Sequence, residues 1–164
     1  MITHPLPPVY DQASRVLILG SFPSVKSREA QFYYGHAQNR FWPVMAAVFG
    51  QEVPGDIGQK IEFLHRNGVA LWDVIASCDI AGSADSSIRS VTPNDLRPIL
   101  DGADIRRIFV NGRTAEKYYN RYLYTVTGRE AVCLPSTSPA NASWSLPRLI
   151  GAWRQVALAA RPAR

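Results

Sequence analysis

Four short apolar runs constrain the architecture more than anything else in the chain. Arg15–Leu19 (RVLIL), Val69–Ile75 (VALWDVI), Ile105–Val110 (IRRIFV) and Ala131–Leu134 (AVCL) are too short for buried helices and are apolar on successive residues, as strands covered on both faces are. Helical signals fill the intervals. Asn39–Phe49 (NRFWPVMAAVF) is a helix stopped by Gly50, with Pro43 tolerated only in its first turn. Asp56–Arg66 is another, stopped by Asn67 and Gly68. Ser77–Ser90 reads as a polar loop, after which Thr92 caps a short helix with Pro93 at its first position. Arg113–Tyr122 and Trp144–Ala160 supply two more helices. Strands alternating with helices predict an α/β chain, a three-layer α/β/α sandwich around a central four-stranded parallel sheet. The 164 residues, 46% of them hydrophobic, suit one domain over 1–164.

In such folds ligands bind beyond the carboxyl ends of the strands. The segments there are GSFPSVKSREAQFYYGHAQN, ASCDIAGSADSSIRS, NGRTAEK and PSTSPANAS. All are rich in small polar residues. Their convergence on one sheet edge predicts a pocket lined by hydroxyls and amides, suited to phosphate oxygens and a neutral heterocycle.

Several function classes fall away. Cys78 and Cys133 are far apart in sequence and suit buried thiols rather than a disulfide frame, and two thiolates cannot hold an iron–sulfur cluster. His4, His36 and His65 have no ligand-like spacing, so no metal and no cofactor are expected. No apolar run approaches the roughly 18 residues of a membrane span, and the first residues carry no secretory pattern. A cytoplasmic protein without membrane contact is expected. The net charge of +5, carried by arginine apart from Lys26, Lys60 and Lys117, favours a polyanionic partner.

The strand-to-loop pair VLILGSFPS (16–24) and VCLPSTSPAN (132–141) resembles the two motifs of the uracil-DNA glycosylase superfamily. The first is similar to its strand followed by G-x-x-P, and the second to the loop that presses into the duplex and supports base extrusion. The similarity runs from about Arg15 to Trp153. Two departures matter. The uracil-specific branch carries an Asp in the first motif and a His opening the second, where this chain has Phe22 and Leu134. The stretch FYYGHAQNRFW (32–42) and the segments IFVNGRTA, GSADSSI and LPSTSPAN resemble instead the hypoxanthine-DNA glycosylase branch.

That resemblance implies a hydrolase of the N-glycosidic bond acting, as a monomer, on double-stranded DNA with a deaminated base, hypoxanthine before uracil. A mismatch-type uracil-DNA glycosylase and a catalytically silent DNA-binding module of the same fold are the alternatives, the second favoured by the missing Asp and His. It places catalysis on Asn39 and a second functional amide on Asn111. Gly20, Ser21, Phe22, Pro23, Ser24, Tyr34, His36 and Ser83 would bind the substrate base. Pro135, Ser136, Thr137, Ser138, Pro139, Ala140 and Asn141 would contact DNA. Purely structural readings stand beside these. Asn39 precedes a helix and suits an N-cap, and Asn111 with Gly112 is a turn dipeptide. Ser136, Ser138 and Asn141 suit a simple loop, His36 suits loop packing or the phosphate side, and Tyr33, Tyr34, Phe41 and Trp42 suit the core. Either Phe22 or a tyrosine would stack on the base. Asp73, Asp79 and Asp85, the carboxylates near the second strand's end, read as capping or exposed residues rather than an acid pair.

Overall fold

A computed structural model describes residues 1–162. In chain order the elements are β1 (Ile2–Thr3), β2 (Val16–Gly20), α1 (Val25–Ala30), α2 (Phe41–Phe49), α3 (Ile57–Asn67), β3 (Val69–Asp73), β4 (Ile75–Asp79), β5 (Arg89–Pro93), α4 (Arg97–Gly102), β6 (Arg107–Asn111), α5 (Arg113–Tyr118), a wider π-type turn (Tyr119–Leu123), α6 (Tyr124–Thr127), β7 (Ala131–Leu134) and α7 (Leu146–Ala159).

The expected sheet is present: β3, β2, β6 and β7 lie in that order, all parallel. Its side chains alternate between two cores, as period-2 geometry requires. Val16 and Ile18 of β2 enter a cluster with Phe41, Phe63 and Trp153, supplied by α2, α3 and α7. Leu17 and Leu19 enter the opposite cluster with Ile99, Ala115 and Tyr119. Every residue of β2 is buried, which accounts for its unbroken apolar run.

Helix ends follow the sequence closely. Asp56 caps α3 by accepting the Gln59 N–H at 2.7 Å, and Gly68 ends it in the left-handed region. The last helix starts at Leu146 rather than Trp144, because the Ser145 hydroxyl accepts the Arg148 N–H at 3.3 Å and Pro147 fills the first turn.

Three expectations need correction. The run Val69–Ile75 is not one strand. After Asp73 the chain peels past the end of β2, with the Val74 N–H on the Gly20 carbonyl and the Ile75 N–H on that of Ser21. It re-forms as β4, in a small antiparallel sheet β1–β4–β5. The stretch Ser77–Ser90 is therefore loop only in its middle, around a 3-10 turn at Asp85–Ser87, while its two ends belong to β4 and β5. Thr92 and Pro93 end β5 instead of opening a helix. The following helix begins at Arg97, where the Asp95 carboxylate accepts the Arg97 N–H at 3.0 Å. The short helix α1, VKSREA with only Ser27 buried, has no periodic apolar signal in the sequence.

An N-terminal strap completes the layer. Val9 exchanges two 2.9 Å hydrogen bonds with Leu71 on β3, covering what would otherwise be a free sheet edge.

Candidate active site

A cavity of about 300 Å³ opens where β2, β3 and β6 end. The loop after β2 contributes Gly20, Ser21, Phe22, Pro23 and Ser24 to its wall, the loop after β4 contributes Ser83, and β6 contributes Asn111. Ser136, Ser138 and Ala140 close it from the loop after β7, and Tyr34 enters from the segment before α2. Residues far apart in sequence thus meet where an open parallel sheet is expected to bind its ligand.

Local chemistry shapes each wall. Ser24 caps α1 by accepting the Ser27 N–H at 3.1 Å, and the buried Ser27 hydroxyl accepts the Gly35 N–H at 3.0 Å. Ser83 accepts the Val25 N–H at 2.9 Å, tying the two loops together. Tyr34 holds a left-handed backbone, φ 55°, a strained state for a bulky residue that a surrounding structure must impose. It stacks on Phe41 with centroids 4.0 Å apart, which aims its hydroxyl into the cavity. Phe22 lines the opposite side, with the His4 ring on its edge at 5.8 Å and the Arg28 guanidinium 5.7 Å from its centroid.

A chain of polar groups joins the two amides singled out by the sequence. Asn111 Nδ2 donates to Tyr34 Oη at 3.2 Å and to Thr137 Oγ1 at 3.0 Å, and its Oδ1 accepts the Thr137 N–H at 3.1 Å. The Thr137 hydroxyl donates in turn to Asn39 Oδ1 at 2.9 Å. Asn39 Oδ1 also accepts the Phe41 N–H at 2.9 Å; this is a turn one residue ahead of the Arg40 N-cap rather than the expected cap, and it comes together with a link to the site. Both lone pairs of that oxygen are spent; its Nδ2 has no partner among the described residues.

Asn39 and Thr137 stand behind the cavity wall rather than in it. Thr137 is fully buried, so its side chain faces the amides and not a duplex. His36 also lies outside the wall, its Nδ1 accepting the Gln38 N–H at 3.0 Å within the turn. Pro139 and Ala140 are exposed at the loop tip. Asn141 braces the loop from within, donating to the Ser136 carbonyl at 3.0 Å. Pro135 is held from behind, its carbonyl accepting from Trp153 Nε1 at 2.9 Å. Gly112, at φ 94°, lets the turn after β6 approach this loop: a Cβ there would sit 3.0 Å from the Ser136 Cβ.

Three functional candidates escaped the sequence. Asp73 is neither exposed nor a cap; it is buried in the cavity floor, and its Oδ2 pairs with His4 Nε2 at 2.8 Å. Its place at the carboxyl end of a strand was the available signal. His4 had none, since only folding brings it 69 residues along the chain to Asp73. Arg40 donates to the carbonyls of Ser138 and Asn141, at 3.2 and 3.1 Å, and to that of Trp144, so its guanidinium pins the loop tip. The neighbouring FYYGHAQN motif marked the segment but not this residue.

Comparison with known proteins bears on the whole chain. The model of the family described as the uracil DNA glycosylase superfamily matches residues 7–157. A protein of Methanosarcina acetivorans named hypoxanthine DNA glycosylase is 36% identical over 148 residues, 88% of this chain and 92% of that one. One of the same name from Methanosarcina barkeri is 31% identical over 137 residues, 82% of this chain and 85% of its own. The solution NMR structure of a candidate uracil DNA glycosylase from Methanosarcina acetivorans superposes with a TM-score of 0.79 at 33% identity, covering 95% of this chain and 99% of that one.

Proposed function

The chain belongs to the uracil DNA glycosylase superfamily, and on that premise we propose that it is a monofunctional DNA glycosylase releasing a flipped deaminated base from double-stranded DNA, with hypoxanthine favoured over uracil. The observation that carries this reading is the cavity itself. It is bounded by both motif loops, and it pairs a flat aromatic wall at Phe22 with hydroxyl and amide donors.

The chemistry follows from these groups. Breaking an N-glycosidic bond develops positive charge on the sugar and negative charge on the departing base. Extruding the base costs a few kcal/mol, least at a mispair, and the exposed tip Pro139–Ala140 is the part of the motif 2 loop placed to enter the duplex. The hydroxyls of Ser136 and Ser138 accept backbone N–H bonds and donate to nothing among the described residues, so their protons remain for phosphate oxygens. The Tyr34 hydroxyl is the donor at the base, oriented by Asn111, whose two Nδ2 protons are spent on Tyr34 and Thr137. Asn39 acts from behind the wall: its occupied carbonyl holds Thr137 and through it Asn111, and its Nδ2 is left to donate to water or substrate that reaches it. Preorganised donors of this kind are worth roughly 3–4 kcal/mol each in the transition state.

The branch acting on uracil uses an Asp and a His where this chain has Phe22 and Leu134. The glycines and serines around the cavity leave room for the larger purine ring. Single-turnover assays on duplexes carrying hypoxanthine, uracil, xanthine or no lesion test the proposal. Hypoxanthine should leave fastest. Release of uracil from U·G with none of hypoxanthine from I·T overturns the substrate choice, and release of neither overturns the enzymatic reading.

A further inference from the structure

The floor of the cavity presents a carboxylate oxygen that no group among the described residues engages. The Asp73 side chain is 5% exposed and that of His4 is 3% exposed. His4 Nδ1 accepts the Leu6 N–H at 3.1 Å, which assigns the ring proton to Nε2, the atom 2.8 Å from Asp73 Oδ2. Oδ2 is therefore an acceptor from His4. Oδ1 has no partner among the described residues, although Asp73 lines the cavity. It is thus a free acceptor facing the cavity, on a side chain that is otherwise held in place. The backbone behind it is fixed, with Asn94 Nδ2 on the Asp73 carbonyl at 2.9 Å.

Tyr34 stands across Gly20 from this oxygen. A Cβ on Gly20 would meet Asp73 Oδ1 and lie 3.1 Å from Tyr34 Oη, so the two groups flank a gap that exists because residue 20 is glycine. The Tyr34 oxygen already accepts from Asn111, which turns its own proton elsewhere. Burial first and the charge of Asp73 second push its ionisation well above the ordinary tyrosine range. The hydroxyl thus stays a donor.

We infer that Tyr34 and Asp73 read the lactam edge of the extruded base, the phenol donating to its carbonyl and carboxylate Oδ1 accepting from its N–H, with His4 as the positioning residue. The inference rests on the glycosylase reading above. Its force lies in the sign of each partner. Deamination turns the adenine amino donor into a carbonyl and the adjacent ring lone pair into an N–H. Both groups match the damaged base; the acceptor-only carboxylate opposes the adenine ring lone pair outright, and the phenol, whose oxygen already accepts from Asn111, favours a carbonyl over the amino group. An asparagine in place of Asp73 lacks this polarity, because its amide can present either atom.

The test measures dissociation constants for uncleavable 2′-fluoroarabino duplexes bearing hypoxanthine or adenine opposite the same base, alongside single-turnover release of hypoxanthine and uracil. Asp73→Asn should shrink the hypoxanthine-to-adenine preference by about tenfold or more relative to wild type. Tyr34→Phe keeps the ring on Phe41 and should shrink it too, so the inference stays testable if the first variant does not fold. A variant that changes the preference by less than this overturns the role of the residue it alters. A wild-type protein that releases neither base defeats the glycosylase reading instead.

Discussion

Gly20 and Asp73 lie opposite each other in the parallel register of β2 and β3, and a single methyl on Gly20 would occupy the space of the Asp73 carboxylate oxygen. Gly20→Ala should therefore act on the site before it acts on the fold. Overpacking of this kind costs about 1–3 kcal/mol, while the displaced carboxylate and narrowed gap should slow base release by roughly a hundredfold. Thermal melts and single-turnover rates on the same sample separate the two effects. An alanine variant with unchanged release shows that the gap is not used.

Asn39→Ala removes the acceptor for both the Phe41 N–H and the Thr137 hydroxyl. A loss of about 1–2 kcal/mol of stability is expected from these two hydrogen bonds. Base release should fall to a small remnant, with duplex binding nearly intact. Retention of more than half the wild-type single-turnover rate rules out Asn39 as the catalytic amide.

Arg40→Lys keeps the charge but not the fork that reaches three carbonyls of the loop. Hydrogen exchange should quicken at residues 138–144 and stay slow in the four-stranded sheet. Duplex affinity should drop by about tenfold, since an unpinned tip must be ordered on binding. Uniform exchange with wild-type affinity would show that the guanidinium is dispensable.

Burial pushes the hydroxyls of Tyr33, Tyr34 and Tyr119 above the usual tyrosine range, and the charge of Asp73 adds to the first two. Folded values raised above the unfolded one give stability that is fully present below about pH 10. It is lost as pH climbs from there through the folded values. An absorbance titration at alkaline pH should therefore show three of the seven tyrosines ionising only with loss of the circular dichroism signal. Seven tyrosines titrating together in a protein that remains folded would contradict this.

The parallel sheet was legible because β2, and most of β3 and β6, are buried on both faces, and such burial writes itself as an apolar run; the half-buried β7 was legible from its apolar residue types. The break after Asp73 was not, since Val74 and Ile75 are as apolar as β3 itself. What ends that strand is the pair of backbone bonds to Gly20 and Ser21, which leave no trace in side-chain type. In the site, Asn39 and Asn111 stood out through the motifs that surround them. The residue joining them did not: Thr137 sits in a serine- and proline-rich loop, and nothing local distinguishes its buried hydroxyl from the accessible ones of Ser136 and Ser138. His4 belongs to a strap whose partners lie across the fold, beyond the reach of any spacing rule.

The hydrogen bond from Thr137 to Asn39 closes a span of 98 residues. It joins the segment before α2 to the loop after β7, two pieces that meet only at the end of the sheet. Local openings cost less than global unfolding, and this contact depends on a surface loop and the first turn of one helix. Mild heat or low denaturant should consequently silence the protein while its spectroscopic secondary structure is still whole, and refolding should restore the sheet first and activity afterwards.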